Sequence, residues 1–136
     1  MRPDEAAQQL NQVASLLAQA APPGWKSIFL GFETLDTEDQ IGTSSICIAV
    51  VKPLFGKPQK KDLQVPPNVR ELMKEVALHF MQRAKQNYVT LDLLLFDGGK
   101  FKSYIDYEPL QRLGPEVHSG KRYHKYAGDD PLLKDL

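Results

Sequence analysis

Cysteine is almost absent from this sequence, and that scarcity already narrows what the protein can be. The single thiol, Cys47, has no partner for an internal disulfide, and no second cysteine offers a zinc-binding spacing. It lies inside the apolar run "SSICIAVV", where a free cysteine behaves as a small core residue. An excess of one charge is also lacking, since Lys plus Arg and Asp plus Glu number 17 each. Nucleic-acid binding by bulk electrostatics normally requires a basic excess, so the balance argues against it. Long apolar runs are missing too: none reaches the roughly 18 residues of a membrane-spanning helix. The start, "MRPDEAAQQLNQ", has no apolar core of a secretory signal. Together these absences predict a cytoplasmic protein that neither crosses nor docks on a membrane.

What is present fits one domain over residues 1–136, with 42% apolar and 25% charged residues, ordinary globular usage. In "DEAAQQLNQVASLLAQA" (4–20), Ala6, Leu10, Val13 and Leu17 form one apolar helical stripe, with Asp4 expected as the cap. "APPG" ends it, because proline cannot join the helix ladder. "WKSIFLGFET" (25–34) and "TSSICIAVV" (43–51) read as an antiparallel strand pair. In the first, Ile28, Leu30 and Phe32 share one face, with Trp25, Ser27 and Phe29 on the other.

Residues 52–66 read as a loop or edge strand, with a short strand expected near Asp62 to Val65. Its lysines, Lys52, Lys57, Lys60 and Lys61, accompany a single aromatic, Phe55; such lysines commonly deter edge aggregation. "PPNVRELMKEVALHFMQRAKQN" (66–87) is the clearest helix, with Val69, Met73, Val76, Phe80 and Ala84 as its stripe. His79 reads as a surface residue beside Glu75.

Two further strands flank "DGGK" (97–100). A phosphate loop needs a helix after the glycines, whereas "KFKSYIDY" alternates like a strand. A two-residue turn would set the apolar residues of the two strands on opposite faces. A three-residue loop, Asp97-Gly98-Gly99, instead pairs Leu95 with Phe101 and Leu91 with Ile105, so the odd-length turn is expected. The other face then carries Thr90, Asp92, Leu94 and Phe96 with Lys102, Tyr104 and Asp106, a mixture that a helix or a partner must cover. Residues 127–136 read as a tail. The fold class that follows is α+β: a mainly antiparallel sheet of four or five strands with two main helices, in the order α-β-β-α-β-β, plus a C-terminal segment.

No HExxH, GxSxG or GxxxxGK[ST] pattern occurs, and no metal site or cofactor is expected. Asp106 and Glu108 form an i, i+2 pair of carboxylates, and Asp129 and Asp130 a second cluster. His118 and His124, with Lys121 nearby, leave open a small enzyme working by general acid–base chemistry. The same region suits protein recognition, because Tyr and Arg bury much area while keeping polar ends. Tyr104, Asp106, Tyr107, Glu108, Arg122, Tyr123, Tyr126, Asp129 and Asp130 are the candidate partner-binding residues.

An N-terminal helix, "GWKSIFLGFE" (24–33), the 66–87 helix and above all "LDLLLFDGGKFKSYIDYEPL" (91–110) resemble the YezG-like immunity proteins of bacterial polymorphic-toxin and contact-dependent-inhibition systems. The family's Gly-Lys-Phe turn and Asp/Asn-Tyr-Glu ending are matched by Lys100, Phe101, Asp106, Tyr107 and Glu108. The resemblance implies a single non-catalytic α/β domain. It would bind the C-terminal toxic domain of a cognate effector, often a nuclease, and occlude its active site, without contacting nucleic acid itself. Nuclease targets favour acidic inhibitors, and here the charge is balanced. An effector adaptor or chaperone is the other non-enzymatic reading.

Overall fold

A computed structural model describes residues 1–108, 110 and 113. The elements in chain order are α1 (Pro3–Ala20), β1 (Trp25–Asp36), β2 (Ile41–Val51), β3 (Gln59–Asp62), α2 (Pro67–Ala84), β4 (Tyr88–Phe96) and β5 (Phe101–Asp106). The strands form one antiparallel sheet in the order β3-β2-β1-β4-β5. Over the described residues the fold is therefore the expected α+β domain, with two helices and five strands, a short edge strand among them.

In α1 the buried residues are Ala6, Leu10, Val13 and Leu17, the stripe that the periodicity predicts. Its capping differs from expectation. Arg2 holds the cap position, no side chain caps the first turn, and Asp4 lies inside the helix. Pro3 opens the helix and has no amide to leave unsatisfied, which lessens the need for a side-chain cap. Arg2 Nε instead pairs with Glu5 Oε1 at 2.8 Å.

Both helices lie on one face of the sheet. There Ile28, Leu30 and Phe32 of β1, Cys47, Ala49 and Val51 of β2, and Val89, Leu91, Leu93 and Leu95 of β4 meet the α1 stripe and Val69, Met73, Val76, Ala77 and Met81 of α2. Full burial of a large apolar side chain stabilises a fold by about 1.5–3 kcal/mol, so this layer dominates the energetics. Cys47 belongs to it, and burial pushes its thiol up to about 12.

Three local readings needed correction. Trp25 packs on the helix side with Ile28, not opposite it. The β1–β2 register steps from Trp25↔Val51 to Ser27↔Val50, so Lys26 is an extra residue, and the bulge turns Trp25 to the other face. The edge strand is Gln59–Asp62, not 62–65, because Leu63 and Val65 turn inward to the helix-side core. His79 is 8% exposed, not a surface residue. Its ring meets Phe80 edge-on at 5.2 Å. Glu75 instead accepts a hydrogen bond from Gln9 Nε2 at 2.7 Å, joining α2 to α1.

The β4–β5 hairpin has the odd-length turn: Leu95 pairs with Phe101 and Leu91 with Ile105. Phe96 N–H donates to Lys100 O at 2.9 Å, closing a loop of Asp97, Gly98 and Gly99. Gly98 and Gly99 hold φ of +103° and +91°, conformations that residues with a Cβ rarely adopt.

Candidate binding surface

On the sheet face away from the helices, Phe29, Ile48, Val50 and Leu94 form a small apolar cluster flanked by Ile46 and Phe96. The Phe29 ring crosses Gly31, where an added Cβ would come within 3.1 Å of it. Among these apolar residues stand buried polar ones: Ser27, Glu33, Thr90 and Asp92. The β1–β4 and β4–β5 registers set Glu33 opposite Thr90, Thr90 opposite Asp106, and Asp92 opposite Tyr104. Neither described helix covers this face. The chain nevertheless returns to it after β5, since Leu113 N–H donates to Glu33 Oε1 at 3.0 Å. Glu33 was not legible as a special position: its place in the strand alternation is that of Phe29 and Gly31, and alternation alone does not mark a carboxylate as buried.

The end of β5 distributes the candidate residues over different environments. Tyr104 and Asp106 lie half-buried on the second face, and Ile105 points the other way, 41% exposed. The strand stops at Asp106, whose Oδ1 accepts the Glu108 N–H at 2.7 Å. That Asx-type turn places the exposed Glu108 beyond the sheet rather than beside Asp106 on its face. Tyr107 turns toward the helices, and its hydroxyl donates to Phe80 O at 3.2 Å. Burial pushes the Tyr107 hydroxyl up, opposed by the positive charge of Arg83. Asp106 thus shapes the turn and Tyr107 anchors it to α2, with Glu108, Tyr104 and Ile105 as the surface around them. Arg122, Tyr123, Tyr126, Asp129 and Asp130 lie outside the described residues, as do His118 and His124.

A cleft of about 310 Å³ opens between α1 and the β4–β5 turn, walled by Trp25 and Phe101 with Asn11, Ser15 and Lys100 around it. That volume sits at the lower end of small-molecule sites. Among the described residues no group of three or more His, Cys, Asp or Glu is placed to hold a metal ion. No described helix is long and apolar enough to cross a membrane.

No family model matches the chain. It is similar to UvrABC system protein C of Porphyromonas gingivalis, in two strains, at 30% identity over 90 residues. The similar region covers 60% of this chain and 15% of that protein, so the chain spans a small part of the length of the curated relatives it matches.

Proposed function

We propose that this protein is a non-catalytic inhibitor of the YezG-like immunity class, which binds the toxic domain of a cognate bacterial effector and occludes its active site. The observation that carries the reading is the end of β5. Among the described residues no further strand covers its outer edge. There Ile105, 41% exposed, faces the helix side of the sheet, the half-buried Tyr104 and Asp106 face the other, and Glu108 is exposed just beyond. A strand edge that offers an apolar residue on one face and aromatic and acidic groups on the other suits a protein interface that wraps it, in which charge complementarity speeds encounter and rejects wrong partners. A cationic toxin cleft is the matching surface.

Co-expression with the toxin encoded directly upstream tests the proposal. The wild-type chain should restore growth, and a Glu108→Lys, Asp106→Asn double variant should lose most of that protection. Asparagine at 106 keeps an acceptor for the Glu108 amide, so the turn survives while its charge is removed. Full protection by the double variant would place the interface elsewhere, and no protection by the wild type would end the immunity reading.

A further inference from the structure

The loop between β2 and β3 carries the two most exposed large apolar side chains among the described residues. Leu54 is 98% exposed and Phe55 91%, against at most 48% for Met1, Ile41 and Ile105. Single exposed apolar residues are ordinary, but two adjacent ones fully in water at a loop tip are not. The loop is also restrained at both ends. Lys52 N–H donates to Gly24 O at 3.0 Å at its base. Pro53 and Pro58 fix the backbone on either side, and Gly56 makes the turn at a φ of +113°. The two prolines lessen the conformational freedom that the tip gives up when it is bound.

Its surroundings are basic and edge-like. Lys52, Lys57 and Lys61 are exposed around it, and Asp62 is the sole acid between Lys52 and Val65. β3 follows directly, with all four residues exposed. It is paired to β2 on one side, and among the described residues no strand lies on the other.

We propose that the 53–58 tip and the outer edge of β3 form a second docking surface for an acidic protein segment that offers an apolar pocket to Phe55 and Leu54. This goes beyond the β5 reading and does not depend on the partner's being a toxin. The lysines select against a second copy of this chain, which would bring lysine against lysine, and in favour of carboxylates. The open strand edge supplies main-chain donors and acceptors that only another polypeptide can pair in register. A lipid surface fits less well, since it would leave the open edge of β3 without a main-chain partner.

The test replaces Phe55 in the full chain with a photo-crosslinking amino acid, in the cells that encode it, and identifies the adduct by mass spectrometry. The captured protein is then purified and titrated. Supporting the proposal, that protein binds the wild-type chain, and binding weakens at least tenfold with Leu54→Ser, Phe55→Ser. It weakens comparably with Lys52→Glu, Lys57→Glu and falls as salt rises, while thermal unfolding of both variants stays that of the wild type. Capture of a protein other than the upstream toxin, with these properties, supports this surface whatever the growth assay shows. Adducts confined to lipid, nucleic acid or a second copy overturn it, as does no adduct at all, or a captured protein that binds the variants as tightly as the wild type. Phe55-dependent sedimentation with phosphatidylcholine–phosphatidylserine vesicles also overturns it and assigns the tip to membranes.

Discussion

On the helix-covered face of the sheet, Ile28, Leu30, Phe32, Leu91 and Leu93 meet two amphipathic helices. On the opposite face, Phe29, Ile48, Val50 and Leu94 share their layer with Glu33, Thr90 and Asp92, all buried. Both faces exclude water from their centre, by different means. The first relies mainly on matching shapes and apolar surface, with Thr34 buried at its end. The second buries carboxylates as well, for which a partner matters, as Glu33 finds one in the Leu113 amide, because an unmet buried group costs about 1–3 kcal/mol. A face of that kind demands more of the sequence for the same burial, and it makes a particular covering segment matter.

That contrast can be broken by mutation. Phe32→Ala, on the apolar face, should lose about 3–5 kcal/mol in urea unfolding, because the cavity adds to the lost transfer energy. Glu33→Ala, its neighbour facing the other way, should lose about 1–3 kcal/mol by stranding the Leu113 amide, and Glu33→Gln should recover part of the loss by keeping an acceptor. Equal losses for Phe32→Ala and Glu33→Ala would erase the distinction between the faces. The turn joining β4 and β5 belongs to neither layer, so Gly99→Ala should cost only the backbone strain of its positive φ, about 1–2 kcal/mol.

An effect of similar size concerns pH. Burial raises the Cys47 thiol to about 12 from its ordinary 9.0. Between these values the unfolded chain gives up the proton and the folded chain keeps it, so Cys47 favours unfolding increasingly as pH rises through that window. Tyr107, also raised by burial, adds in the same direction at its own alkaline range. Denaturation at pH 8 and 10.5 should show a stability decline that is shallower in Cys47→Ala than in the wild type. Identical slopes would place the thiol in contact with water.

The helix-covered layer was legible in the sequence because its signals are periodic. The α1 stripe is visible in the spacing of Ala6, Leu10, Val13 and Leu17. The hairpin register was legible because a one-residue slip would have turned a whole apolar set outward. What escaped has no periodic signature. The bulge at Lys26 reverses Trp25 without any turn residue to announce it. The pairing of β1 with β4 joins strands separated by a helix and two other strands. His79 and Glu33 are polar residues at buried positions, and the pattern assigns polar residues to water. At the candidate surface, residue types pointed to the end of β5, but the chain's turn at Asp106 sends Tyr107 and Glu108 to different environments. Leu54 and Phe55 were hidden in a proline- and lysine-rich stretch that reads as a plain loop, and only their exposure marks them out.

The most direct measurement is an isothermal titration of the full chain with the purified C-terminal domain of its proposed effector partner, sought among the genes immediately upstream. A one-to-one complex of submicromolar affinity, weakened at least tenfold by Glu108→Lys with Asp106→Asn, is the predicted result. The absence of any heat of binding, or equal affinity for the double variant, would contradict recognition through the end of β5.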